Sequence, residues 1–380
     1  IDDNTTLLID SARRAIAEFN AQFVIFPELT LTSYPPEDLL LRPSLAPRMK
    51  VAMDRILAAK LPTTLVFGYP ESSDGKLYNS LAVVDHGKLL ATYRKQCLPN
   101  YQVFDERRYF QAGNQPCVLE IHGLRLGFTI CEDLWEEMPT QQFEHQSLDL
   151  LLNINASPFH RGKACERRQL LKRRAQAIGA PIAYVNLVGG QDELVFDGGS
   201  LAVDSVGNAV VQAPQFEAGL YPAVFKLSSS GRYEPACGSC ATQPSDLAQV
   251  YKALTIGVRD YVTKNGFKGV VLGLSGGIDS ALTLAIAVDA LGAHAVHAVM
   301  MPFEYTSQLS RDAAAEQAAT LGVAYRSISI KSIYDQFVGA LASEFEGLAE
   351  DVAEQNLQAR CRGVLLMAIS NKKGYLVLTT

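Results

Sequence analysis

The first half of the chain alternates short apolar runs rich in β-branched and aromatic residues with stretches of helical periodicity. The runs are "AQFVIFPEL", "TTLVFGY", "NSLAVVDHGKLLATYRK", "LRLGFTICEDLW", "LDLLLNINASP", "APIAYVNLVGG" and "SLAVDSVGNAVV". Strands separated by helices have few stable solutions, because each sheet face must be covered, and the pattern predicts an α/β fold. Around 226–245 it lapses into "KLSSSGRYEPACGSCATQPSD", rich in Ser, Gly, Pro and Cys, which reads as a linker. A helix follows, "LAQVYKALTIGVRDYVTKNG", and then four strand candidates separated by helical segments: "KGVVLGL", "HAVHAVMMP", "AYRSISI" and "GYLVLTT". That order predicts a small, doubly wound parallel sheet. The expected division is therefore a first domain over 1–225, a linker over 226–245 and a second domain over 246–380. A chain of 380 residues is longer than one core usually organises.

Composition narrows the function. Hydrophobic residues at 48% and charged residues at 19% are those of a globular protein. A net charge of -6, with no interleaving of basic and aromatic residues, argues against a nucleic-acid binder. No apolar run reaches the length of a membrane span and no signal-peptide pattern is present, so a cytoplasmic protein without membrane partners is expected. Seven cysteines, an odd number, fit reduced thiols. Cys237 and Cys240 form a C-x-x-C without the second pair that zinc needs, and read as part of the linker. The chain opens with Ile1 inside a helical pattern and stops at a strand, so the protein is expected to be longer at both ends.

In "LGLSGGIDSALTLA", Ser275, Gly276 and Gly277 lie between a strand and a helix. Unpaired N–H groups at a helix start, with the positive end of its dipole, bind anionic oxygen. The glycines permit close backbone approach and positive φ. Ser275 and Ser280 add hydroxyl donors, and Asp279 is suited to hold Mg²⁺ beside a phosphate. A Walker lysine is absent. The string Ser-Gly-Gly-Ile-Asp-Ser resembles the pyrophosphate loop of the N-type ATP pyrophosphatases. That resemblance implies ATP as co-substrate, attack on its α-phosphorus, and release of pyrophosphate as an adenylate forms.

An adenylated carboxylate needs a nucleophile, and such enzymes often receive ammonia from a partner domain, so the first domain is expected to hydrolyse an amide. Cys131 follows a strand in "TICEDLW", Glu28 ends another in "FPEL", and Lys95 lies in "YRKQCLPNYQVFDERRYF". In an α/β sheet all three emerge at one edge. A thiol is mostly protonated at neutral pH, so Cys131 needs a base, and Glu28 suits the proton transfer. Lys95, with the backbone N–H of Glu132, would stabilise an oxyanion. Singly, each residue has a plainer reading as core or surface.

Together the three strings resemble the Glu-Lys-Cys site of the nitrilase superfamily. With "NINASPFHRGK" and "GGQDELVFDGGS" they are similar to its glutaminase branch. Joined to the phosphate loop and "EQNLQARCRGVLLMAISNKKGYLVLTT", they resemble the glutamine-dependent NAD⁺ synthetases over nearly the whole chain. The resemblance implies a nitrilase-like α/β sandwich followed by a doubly wound ATP pyrophosphatase domain. It implies Glu28, Lys95 and Cys131 as catalytic, Glu106 as orienting Lys95, and Tyr101, Phe104 and Ser157 as glutamine contacts. It further implies Arg360 and Thr379 as ATP contacts, a homo-oligomer, and amidation of nicotinic acid adenine dinucleotide with ammonia led through a channel. Members continue into a segment carrying a further acidic metal ligand, so these residues alone are expected to hold a nucleotide loop without making NAD⁺ efficiently. Two other readings stand beside this one. One is a different glutamine-fed ATP pyrophosphatase, such as a GMP-forming synthetase, which usually carries a Cys-His-Glu glutaminase. The other is a truncated, non-catalytic regulatory chain.

Overall fold

The computed structural model describes residues 1–229, 231–238 and 240–380, and divides into two compact units, Ile1–Val250 and Tyr251–Thr380. Ser230, Ser239 and the side chain of Cys237 lie outside what is described, and with them part of the expected linker and the C-x-x-C.

The first unit is built on two sheets. One has the order β1 (Phe23–Ile25), β2 (Thr64–Ser73), β3 (Lys76–Asp85), β4 (Lys88–Arg94). The other contains β5 (Cys117–Ile121), β6 (Leu124–Ile130), β7 (Leu150–Asn155), β8 (Ile182–Asn186), β11 (Leu201–Val203) and β12 (Ala209–Gln212), in the order β12-β11-β8-β7-β6-β5. A short ribbon of β9 (Val188–Gln191) and β10 (Leu194–Asp197) stands apart. Val66, Leu81, Val83 and Tyr93 from the first sheet meet Leu126, Phe128, Ile130, Leu152 and Ile154 from the second in one apolar layer. The neighbouring positions of β2 and β3, Leu65, Phe67, Ala82 and Val84, point the other way. They are covered by α1 (Asp2–Phe19), which buries Leu8, Ala12 and Ala15, and by α2 (Leu45–Ala58), which buries Leu45, Met49, Ala52 and Ile56. These spacings of three and four place each set on one helix face. Past α3 (Glu132–Trp135) and α4 (Glu137–Gln141), α5 (Lys163–Ile178) covers the second sheet through Leu170, Leu171, Ala175 and Ile178. The result is an α-β-β-α sandwich. Strands buried on both faces explain why the sequence shows near-continuous apolar runs.

Residues 226–245 carry regular structure that their composition did not announce. β13 (Val224–Leu227) and β14 (Tyr233–Cys237) pair antiparallel, and Glu234 accepts hydrogen bonds from Ser205. Between the strands the Ser228 amide donates to the Arg232 carbonyl at 2.7 Å and the Gly231 amide to the Ser228 carbonyl at 3.0 Å, turn bonds that suit the small polar residues that gave the segment its linker-like composition.

In the second unit α6 (Asp246–Lys264) leads to four parallel strands: β15 (Val270–Gly273), β16 (Val296–Met300), β17 (Ala324–Ser327) and β18 (Leu376–Leu378), in the order β17-β16-β15-β18. One face packs on α7 (Ile278–Leu291) and α8 (Gln308–Leu321) through Leu284, Ala287, Ala314 and Ala318. The other packs through Val271, Val299, Ile330 and Cys361 towards α9 (Lys331–Ala340) and α10 (Val352–Lys373). This is a doubly wound sheet whose strand order reverses between β15 and β18, where such folds bind ligands.

Candidate active sites

β4 runs antiparallel to β3 and β3 to β2, while β1 is parallel to β2, so β1 and β4 end at the same edge of their sheet. Glu28 lies three residues past β1, and its backbone presses on Gly68 of β2, where a Cβ would stand 2.2 Å from the Leu29 nitrogen. Any side chain at 68 would push Glu28 away. Lys95 is the first residue beyond β4. Its Nζ donates to Glu28 Oε1 at 2.7 Å and to Glu106 Oε1 at 2.8 Å, with all three side chains buried. Asn79 Nδ2 donates to Glu28 Oε1 at 2.8 Å and to Glu106 Oε2 at 3.4 Å. The Tyr34 hydroxyl donates to Glu106 Oε1 at 2.8 Å, and the Ala156 amide to Glu28 Oε2 at 2.9 Å. Burial pushes Glu106 up to about 7 against the pull of Lys95. Burial alone would lower Lys95, but Glu106 and Glu28 overcome it and hold the ammonium well above its usual value.

Cys131 occupies the turn between β6 and α3 with φ 44° and ψ −99°. A residue with a side chain in such a conformation stores about 1–3 kcal/mol of strain and needs surrounding structure to hold it. Its amide donates to the Ile154 carbonyl at 2.9 Å. Cys131 is buried, with 5% of its surface exposed. Burial pushes it well above its usual value, Glu28 adds to that, and Lys95 opposes it. The resting group is therefore a neutral thiol, and attack requires a base. At the first turn of α3 the Glu132 amide has no helical acceptor and is available to an oxyanion.

Tyr101 is 50% exposed and donates to Glu132 Oε1 at 3.0 Å. Phe104 packs edge-on against Tyr101 and Tyr34, with centroids 5.5 and 6.4 Å away. Both lie on the segment that carries Glu106, and Glu132 adjoins Cys131. Ser157 is buried two residues past β7. Its amide donates to Asn186 Oδ1, and its hydroxyl accepts from Arg167. Arg167, on α5, also donates from Nη1 to both carboxylate oxygens of Asp197, at 2.8 and 2.9 Å. Asn79, Tyr34, Arg167 and Asp197 were not singled out in the sequence. Their only trace there is polarity inside or beside an apolar run.

In the second unit Gly276 has φ 82°, and a Cβ there would lie 2.2 Å from the Ser310 carbonyl oxygen at the start of α8. Ser280 Oγ accepts from the Ser275 amide at 3.2 Å and donates to the Gly277 carbonyl at 3.0 Å, and the Gly277 amide donates to Ser275 Oγ at 3.2 Å. The loop is thus folded by its own hydroxyls at the carboxyl edge of β15. Asp279 is exposed in the first turn of α7. Leu272 pairs with Leu378, so Thr379 emerges beside the loop. Arg360 is exposed on α10, two residues before Arg362, whose Nε donates to the Met301 carbonyl just past β16. Among the described residues no cluster of three or more metal-ligating side chains occurs.

The fold and the two sites together define a thiol-dependent amide-hydrolysing module joined to a nucleotide-loop module. Family models match accordingly: a carbon-nitrogen hydrolase over residues 2–234 and an NAD synthase over residues 250–380. The chain is 46% identical over 382 residues to a glutamine-dependent NAD(+) synthetase of Xylella fastidiosa, covering all of this chain and 70% of that protein. The solved glutamine-dependent NAD+ synthetase of Acinetobacter baumannii, in complex with ADP, is 46% identical with TM-score 0.95, over all of this chain and 71% of that one. An amidase of Nesterenkonia sp., solved with acrylamide added at its active-site cysteine, is 27% identical with TM-score 0.51, over 56% of this chain and 83% of that one. The chain belongs to the glutamine-dependent NAD(+) synthetase family.

Proposed function

We propose that the first unit hydrolyses glutamine and that the second uses ATP to adenylate nicotinic acid adenine dinucleotide, which ammonia converts to NAD⁺ with release of AMP. The observation that carries this reading is the buried Glu28–Lys95–Glu106 cluster beside a strained cysteine. Cys131 Sγ bonds to the carboxamide carbon while Glu28 takes the thiol proton. Lys95 and the Glu132 amide stabilise the oxyanion. The C–N bond then breaks, the proton passes from Glu28 to the departing ammonia, and water cleaves the thioester to glutamate. Glu106 holds Lys95 in place, and Tyr101, Phe104 and Ser157 line the glutamine site.

In the second unit the loop of Ser275, Gly276 and Gly277 with Ser280 grips the β- and γ-phosphates, its internal amide and hydroxyl bonds exchanging for phosphate oxygens as the nucleotide enters. Arg360 and Thr379 contact the nucleotide. The ADP held by the Acinetobacter baumannii relative supports an adenine nucleotide in this family. Mg²⁺ fits the loop in one respect: it binds through one or two carboxylates completed by phosphate oxygens and water, and Asp279 supplies one carboxylate at the phosphate end of α7. Bound there, the ion would neutralise phosphate charge. In this reading the glutaminase module is residues 1–225, residues 226–245 connect it, and 246–380 belong to the synthetase. The protein acts as a homo-oligomer in the cytoplasm, and among the described residues no helix is long and apolar enough to cross a membrane.

The test is Cys131→Ala. Glutamine-driven AMP and NAD⁺ formation is expected to fall to background, while the rate with ammonium salt stays within about twofold, because nucleophile and phosphate loop lie in different units. Equal loss with both nitrogen sources would overturn the assignment.

A further inference from the structure

Asp133 is fully buried two residues after the nucleophile, and its carboxylate joins parts of the glutaminase site. Oδ1 accepts from the amides of Gln96 at 3.0 Å and Cys97 at 2.8 Å, the two residues directly after Lys95. Oδ2 accepts from the Ile130 amide at 3.1 Å, directly before Cys131, and from the Tyr93 hydroxyl at 2.8 Å. We propose that Asp133 is a positioning residue that clamps the strained turn at Cys131 and fastens it to the segment carrying Lys95. This rests on the glutaminase reading above and adds a residue to it.

The physical case comes from Cys131's backbone. A left-handed, side-chain-bearing residue persists only where neighbouring bonds over-determine it. On the near side the Cys131 amide is held by Ile154 and the Leu134 amide returns to the Cys131 carbonyl at 3.0 Å. These bonds begin at Cys131 itself. The Asp133 carboxylate reaches back across the turn to Ile130, fixing the strand on which the turn begins. The same group takes both amides after Lys95, so the nucleophile and the ammonium share one rigid reference. Reciprocal amide bonds of 3.0 Å between Gln96 and Gln142, on the residue after α4, secure the Lys95 segment from its other side. No fully apolar residue could replace Asp133, because three backbone N–H groups and one phenol would be left buried without acceptors.

Asp133→Asn is nearly isosteric and tests the clamp. The amide oxygen can keep Gln96 and Cys97, but the NH₂ group meets the Ile130 N–H donor to donor, so the turn loosens while the fold is kept. Rates are counted per Cys131 that a glutamine-like chloroketone labels, which removes unfolded protein from the count. The expected result is a glutaminase kcat lower by about 10²-fold, the loss that a misplacement of roughly 1 Å produces, with the KM for glutamine within about threefold. Ammonia-driven synthesis stays unchanged. Hydrogen exchange of the Ile130 amide is expected to speed up, while amides in β7 keep their protection. Tyr93→Phe removes one phenol and leaves the backbone clamp, and is expected to retain kcat within about threefold. If Asp133→Asn does not fold, Asp133→Ser, which keeps one acceptor in a smaller side chain, is read in the same way. Wild-type kcat per labelled site in either variant overturns the proposal. Absence of glutamine hydrolysis in the unmodified protein would instead overturn the glutaminase reading beneath it.

Discussion

At the scale of single residues the site is governed by charge held out of water. Lys95 faces two carboxylates, so the cluster carries a net negative charge when both are ionised. Glu106 is raised from 4.5 to about 7, mainly by burial. While charged it shares Lys95 with Glu28, which in the proposed mechanism leaves Glu28 the better acceptor of the thiol proton. Glutamine hydrolysis is therefore expected to fall as pH drops through about 7, and Glu106→Gln is expected to lose that limb and run about 10-fold or more below wild type at pH 8. Stability follows the opposite sense. A carboxyl whose folded pKa is raised stabilises the fold below its unfolded pKa and loses that contribution as pH rises through the folded value. The stability of wild type relative to Glu106→Gln should thus decline between pH 5 and pH 8. Urea denaturation at the two pH values, with a pH–rate profile for both proteins, checks both statements. A rate limb near 7 that survives in the variant would assign it to another group.

At the scale of elements, what matters is where strands end and what lies against their ends. The phosphate loop closes on α8 so tightly that Gly276→Ala meets two obstacles, a left-handed backbone and the Ser310 carbonyl. The expected destabilisation of the second unit is about 2–4 kcal/mol, from the strained φ together with overpacking. ATP-dependent AMP formation should fall with glutamine and with ammonia alike, while glutamine hydrolysis persists. Calorimetry of the second unit and the two assays decide it, and unchanged stability would mean that the loop and α8 part without cost. The sequence made the α/β layering legible because strands buried on both faces leave continuous apolar runs, and it placed Glu28, Lys95 and Cys131 at strand ends because each follows such a run, while their proposed roles came from the family resemblance. It left β13 and β14 hidden, since a hairpin whose turn is rich in Ser and Gly has the composition of a linker. Asn79, Arg167 and Asp133 were hidden for another reason. Their roles depend on distant partners in no periodic relation: Asn79 with Glu28, 51 residues away, Asp133 with Gln96, 37 away, and Arg167 with Asp197, 30 away.

At the scale of the whole molecule, the proposed function divides two chemistries between two separately packed units, and it requires ammonia to pass from one to the other in its unprotonated form. In neutral water ammonia is mostly converted to ammonium, which has no lone pair to attack an adenylate. The two half-reactions should therefore couple well within one protein and poorly between proteins. Cys131→Ala disables the glutaminase only, and Asp279→Asn weakens the proposed Mg²⁺ and phosphate contact only, removing one charge with little change in volume. Mixed in equal amounts at pH 7, the first variant has a working synthetase and the second a working glutaminase. If ammonia passes internally, glutamine-driven AMP formation in the mixture is expected at less than about a tenth of the wild-type rate, although each half-activity is present in full. Raising the pH to 9 should increase the yield of the mixture relative to wild type, because released ammonia then survives in solution as the reactive base. A mixture that matches wild type at pH 7 would show that ammonia reaches the synthetase through bulk water, and that joining the two units in one chain serves something other than its transfer.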